Sequence, residues 1–197
     1  MNLGANPERL AEGYRLYEAY VTRYSNDYIV PLAVELFAED PKTGNTCRYD
    51  GIVRIDDPPV GMMPGVYILE HKSAARFDAQ STAWANDGEV IGQMMIWEKA
   101  KLEEKYGRCQ GVIVNMVGKQ KQPQFERIVV PPQVWQLDAH ERDLAYWRAL
   151  ERMNRVTNTW ARSRASCITK YGMCDFYDTC SNDPNDSFGN SGNDENA

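Results

Sequence analysis

A chain of 197 residues with 43% apolar residues and a net charge of −6 has the make-up of one folded domain followed by a tail. No apolar run reaches the length of a bilayer span, and the chain does not open on a basic stretch followed by an apolar core. A membrane protein and a secreted one are therefore not expected, and a reducing cytoplasm is the expected setting. The negative balance argues against a nucleic-acid partner only until its distribution is read. Asp175, Asp178, Asp183, Asp186, Asp194 and Glu195 follow the last basic residue, while Arg142, Arg148, Arg152, Arg155, Arg162 and Arg164 face only Asp143 and Glu151 in their own stretch. Such a basic stripe suits a phosphate backbone or, equally simply, a solvated helix face.

In chain order, Asn6 and Pro7 make a helix start. Leu10, Tyr14, Tyr17 and Val21 recur at helical spacing as its apolar face, with Glu18 exposed. Tyr28 to Phe37 is rich in strand formers, with Glu35 interrupting it. The stretch from Asp40 to Asn45 is a turn by its chemistry, and Thr46 to Ile55 returns as a second strand. Prolines make Asp56 to Gly65 a loop, and Val66 to Lys72 is a third, buried strand. The three strands read as an antiparallel meander. The segment from Ser73 to Asp87 is a short helix or ordered loop carrying Trp84. One helix is expected from Glu89 to Tyr106, stopped by Gly107, with Gln93 and Trp97 on one side. Strands follow at Gly111 to Val117 and Phe125 to Val130. A long helix then starts near Gln133, with Trp135, Leu144, Trp147, Leu150 and Met153 as packing positions and His140 at its surface. The tryptophans Trp84, Trp135, Trp147 and Trp160 suit core packing or base stacking. The expected class is α/β, a mixed central sheet flanked by helices over residues 1–180, with a disordered acidic tail at 181–197.

Chemistry concentrates in the third strand. Strand alternation points Glu70 and Lys72 one way and His71 the other, and Asp50 stands on the preceding strand. Two carboxylates and an ammonium could thus meet at one end of the sheet; a solvated Glu–Lys pair is the plainer reading. The ordered set Cys47-Arg48-Tyr49-Asp50-Gly51-Ile52-Val53, Ile68-Leu69-Glu70-His71-Lys72-Ser73 and Gly92-Gln93-Met94-Met95-Ile96-Trp97 resembles the PD-(D/E)XK nuclease superfamily, within it the RecB-type and phage exonuclease branch. The resemblance covers about residues 7–180 and implies a restriction-endonuclease-like fold and a DNA nuclease, an exonuclease of phage or mobile-element type in a bacterial or phage-infected cell. On that resemblance, Asp50, Glu70 and the main-chain carbonyl of His71 would hold Mg²⁺ or Mn²⁺. Lys72 would orient water and Gln93 would order the site. Trp97 stands where the family usually has Tyr and, with Arg148, Arg152 and Arg155, would meet nucleic acid. The implied partners are DNA and a helicase or recombination protein; a non-catalytic module of the same fold is the alternative.

Five cysteines in a chain of cytosolic character do not read as disulfides. The branch often ends in a cysteine-rich motif, which Cys167, Cys174 and Cys180 resemble, implying a 4Fe–4S cluster of structural role; zinc and unligated thiols are the alternatives. Such a cluster takes four thiolates. The branch's N-terminal cysteine and Gly-x-x-x-His helix have no counterpart before Cys47 and His71, so the fourth ligand is unidentified and the chain reads as a shortened or divergent member. Cys47 and Cys109 read as small apolar side chains within strands.

Overall fold

A computed structural model describes residues 6–74, 83–160, 167–169, 172–175 and 177–178. The expected tail at 181–197 lies outside them. The chain divides into two units, Met1–Trp147 and Arg148–Ala197.

The first unit opens with α1 (Pro7–Arg23), whose Asn6 cap accepts from the Glu8 N–H. Its docking side is not the one that the spacing suggests. Leu10, Tyr14, Tyr17 and Val21 are 48–66% exposed, whereas Tyr20 and Tyr24 pack edge-on against Phe125. Two apolar stripes compete, and the winner adds ring contacts and polar anchors. The Arg15 guanidinium donates to the Gln120 and Lys121 carbonyls, and the Arg127 guanidinium lies 3.8 Å from the Tyr24 ring centroid.

Strands β1 (Ile29–Glu39), β2 (Thr46–Ile55) and β3 (Gly65–Ala74) form the expected meander. The β1–β2 register slips between Pro31 and Ala33, next to the residue that lacks a ladder N–H. After residues 75–82, which are outside the described set, come a 3₁₀ turn at Trp84–Asn86 and α2 (Gly88–Lys99). The expected single helix to Tyr106 is two, since α3 spans only Glu103–Tyr106. The break is a Schellman end: the Leu102 N–H donates to the Trp97 carbonyl and the Lys101 N–H to the Glu98 carbonyl, with Lys101 at φ 54°. Glycine normally signals that conformation; here a lysine takes it, and Leu102 packs onto the core that holds Trp97.

Strands β4 (Cys109–Gly118) and β5 (Gln124–Val130) complete a five-stranded sheet in the order β1-β2-β3-β4-β5. Only β3 and β4 run parallel, because α2 carries the chain back between them; the other neighbours are antiparallel. A mixed α/β sheet with helices is therefore as expected. Each face has its own core. Ile52, Val66, Ile68, Val112 and Val114 meet α2 through Val90, Met94, Ile96 and Trp97, while Val53, Ile55, Tyr67 and Ile113 line the opposite face.

The last helix, α4 (Val134–Thr157), buries Gln136 and Leu137. Of its expected packing positions, Leu144 and Leu150 are half-buried, but Trp135, Trp147 and Met153 are 55–67% exposed, because the buried pair sets the inward stripe. Described residues of the second unit include the C-terminal half of this helix and a small hairpin, β6 (Ile168–Thr169) with β7 (Gly172–Met173). No helix among the described residues is long and apolar enough to cross a membrane.

Candidate active site

The strand alternation that separates two cores also sorts the polar residues. Glu70 and Lys72 share the parity of Ile68 and face α2; His71 shares that of Tyr67 and faces the other way. Glu70 is only 4% exposed. A carboxylate this deep needs partners, and both its oxygens have them. Oε1 lies 2.7 Å from the Lys72 ammonium, and Oε2 accepts from Gln93 Nε2 at 2.6 Å. The same ammonium lies 2.6 Å from Glu89 Oε2. Burial alone would push the Lys72 pKa down; the hydrogen bonds it donates to Glu70 and Glu89 outweigh that and hold the pKa at about 12.

Helix α2 aligns these partners. Asp87 caps it by accepting from the Glu89 and Val90 N–H groups. Glu89, Gln93 and Trp97 then follow at four-residue spacing along one stripe. Tyr49, buried on β2, donates its hydroxyl to the Gln93 carbonyl at 3.0 Å and fixes that turn of the helix to the sheet. Sequence reasoning missed Glu89, although its place four residues before Gln93 puts it on the same stripe. Trp97 is 1% exposed, packed edge-on against Tyr49 and near Tyr106, so it is a core residue with no surface to offer a nucleic acid.

Asp50 arrives differently. The β2–β3 ladder ends at Gly51–Leu69, and one step beyond it the Asp50 carboxylate accepts the His71 N–H at 2.8 Å in place of a main-chain carbonyl. Asp50 therefore anchors the residue next to Glu70. The nearby Cys47 thiol senses the result: burial first, then the charges of Glu70, Glu89 and Asp50, push its pKa up to about 12. Cys47 and Cys109 are half-buried thiols, as strand packing suggested, and burial raises Cys109 to about 11.

On the opposite face, His71, Asn115 and Arg127 are register neighbours across β3, β4 and β5. Arg127 Nε donates to Asn115 Oδ1 at 3.2 Å, and Asn115 Nδ2 lies 2.8 Å from His71 Nδ1. Arg127 is itself held by both oxygens of Asp27 and by the Tyr20 hydroxyl. Burial works against its charge, and Asp27 with Tyr20 more than offsets that. The sequence carries no local signal for this row, because its members lie far apart along the chain.

The oxygens that the resemblance would assign to a metal are those of Asp50 and Glu70 and the His71 carbonyl; Asp50 accepts from the His71 N–H, and Glu70 is engaged by Lys72 and by Gln93 Nε2, which leaves the amide oxygen of Gln93, Oε1. The last is buried without a hydrogen-bond partner among the described residues. Oxygen donors of this kind would suit Mg²⁺ or Mn²⁺, which keep much of their own water, better than zinc. Among the described residues no group of three or more His, Cys, Asp or Glu side chains forms a metal-binding cluster. Of the three C-terminal cysteines, Cys180 lies outside the described residues. Cys167 and Cys174 flank the small hairpin, with the Cys174 N–H donating to the Cys167 carbonyl. In the second unit Arg152 and Arg155 are exposed and Arg148 half-buried, with Arg155 paired to Glu151. His140, expected at the surface, is half-buried, and its ring packs onto Gly88 and Gly92. Compared with known proteins, the chain matches no family model, and no curated protein matches its sequence.

Proposed function

We propose that this protein is a metal-dependent nuclease hydrolysing DNA phosphodiester bonds, in the manner implied by its resemblance to the PD-(D/E)XK superfamily. The observation that carries the reading is the Lys72 ammonium held between Glu70 and Glu89, with Gln93 on the other oxygen of Glu70 and Asp50 fixed to the adjoining main chain. Asp50 and Glu70 would hold Mg²⁺ or Mn²⁺, which when bound supplies Lewis acidity and lowers the pKa of its water. Lys72 contributes a fixed positive charge beside the position where a phosphate gains negative charge, and it stays protonated across the physiological range. Gln93 on Glu70 and Glu89 on Lys72 extend this ion pair into a four-residue network.

The test is cleavage of end-labelled single- and double-stranded DNA in a Mg²⁺ and Mn²⁺ series. Wild type should cleave and Glu70→Gln should not, with circular dichroism unchanged. Equal cleavage by both proteins would sink the reading. A second reading is a non-catalytic module of this kind that binds DNA or a helicase. It is favoured by one observation: both oxygens of Glu70 already have protein partners, as in a structural ion pair. Binding without cleavage in both metals would select it.

A further inference from the structure

Within the first unit, residues 134–147 of α4 have an inner and an outer side. Leu137 and Leu144 join the core around α2, and the His140 ring sits on Gly88 and Gly92. Steps of about 100° per residue put Trp135, Ala139, Arg142 and Tyr146 on the opposite side. These four recur at intervals of four, three and four residues, the spacing of a seam along which one helix pairs with another. Trp135 is 67% exposed and Tyr146 63%; Arg142 is exposed and Ala139 half-buried. Two large rings in water on one stripe exceed the scattered apolar residues that any surface carries. The Trp147 ring stands edge-on to Tyr146, with 5.5 Å between centroids, and steadies it.

Charge selects the partner. This stretch carries Asp138, Glu141 and Asp143 against a single arginine, Arg142. Glu141 is matched by Lys99, 2.6 Å away. Asp138 and Arg142 are four residues apart, yet they form no ion pair among the described residues. Three carboxylates around one cation repel a phosphate backbone. The stripe does fit a copy of itself. Turned about a two-fold axis between Ala139 and Arg142, it lays each Trp135 on Tyr146 of the second copy. Each Arg142 then reaches Asp138 of the second copy, across an Ala139 small enough to leave room for the arginine stem. A parallel pairing would instead set Asp138 against Asp138 and Arg142 against Arg142, like charge on like.

We propose that the outer stripe of α4 binds a second copy of this chain, as an antiparallel two-fold dimer held by Trp135 on Tyr146 and Arg142 on Asp138. The proposal stands apart from the nuclease reading and uses none of its residues. Aromatic side chains bury roughly 150–250 Å² each, so four rings about two-thirds exposed supply on the order of 500 Å². That is below the ~1,200 Å² at which standard stable interfaces begin, so the pairing is weak and follows concentration. Its Kd is expected between about 1 μM and 1 mM.

Sedimentation velocity of the full chain over a concentration series tests this. Wild type should pass from monomer to dimer as concentration rises. Trp135→Glu and Tyr146→Glu should each raise Kd by about tenfold or more, with circular dichroism unchanged because both rings stand in solvent. Asp138→Arg and Arg142→Asp should each weaken the dimer by a similar factor. An equal mixture of those two variants should dimerise again, because the two arginines of one copy then face the two aspartates of the other. A helix that had merely lost stability would not recover on mixing. A wild type that stays monomeric at every concentration overturns the proposal. So does a dimer that persists in Trp135→Glu and in both charge variants, since its interface then lies elsewhere. A single-stranded oligonucleotide that binds monomeric wild type and is lost from Trp135→Glu would give the stripe to nucleic acid and overturn it as well.

Discussion

Asp50 and Lys72 hold their places by different means, and the difference is measurable. Asp50 uses one oxygen on the His71 N–H, a bond that the amide oxygen of asparagine can replace. Asp50→Asn should therefore shift stability by no more than about 0.5 kcal/mol in denaturant melts while removing Mg²⁺-dependent cleavage. Lys72 neutralises a buried carboxylate, so Lys72→Met leaves Glu70 unpaired and should cost about 3 kcal/mol. The folded-state pKa of Lys72 is raised from 10.5 to about 12. Its contribution is thus complete below pH 10.5 and is lost as pH rises through 12. Denaturation midpoints of wild type and Lys72→Met should stay apart below that window and converge across it. A constant gap would contradict the ion-pair assignment.

Elements meet this site through close main-chain contacts. Gly111 starts the buried part of β4 at φ 145°, where a Cβ would lie 2.4 Å from the Val130 carbonyl oxygen on β5. Backbone cannot step aside as a side-chain tip can, so Gly111→Ala should cost about 3 kcal/mol, read as a lowered denaturant midpoint. Gly92→Val meets only the end of the His140 side chain and should be far milder in the same melt. The Schellman end at Lys101 has a comparable consequence for the crossover. By stopping α2 at Lys99 it turns the chain toward β4 and lets Leu102 cover Trp97, so the stripe of Glu89, Gln93 and Trp97 keeps its place above β3.

Within the first unit, the sheet joins α1 to the candidate site from behind. Arg127 links Asp27 and Tyr20 at the end of α1 to Asn115, which reaches His71, whose N–H holds Asp50. Arg127→Met would leave the Asp27 carboxylate without its cation and Asn115 without its donor. We expect a loss of about 3 kcal/mol. Hydrogen exchange should show α1 opening first, since it buries no residue fully and leaves its Leu10–Val21 stripe in solvent. Unchanged protection in α1 would show that the ring contacts with Phe125 alone suffice.

Local patterns settled much of this in advance. Alternation along Val66 to Lys72 put Glu70 and Lys72 on one side and His71 on the other, and the Asn6–Pro7 start, the Asp40 to Asn45 turn and the five strands follow from composition and spacing. These features depend on steric and hydrogen-bonding preferences that span a few residues. What depended on long-range competition was not legible: which apolar stripe of α1 docks, and the lysine that ends α2. The same holds for the second carboxylate on Lys72 and the row from Arg127 to His71. Each is decided by residues tens of positions apart that the sheet brings within hydrogen-bond reach, where matching charges and filling volume outweigh any local propensity.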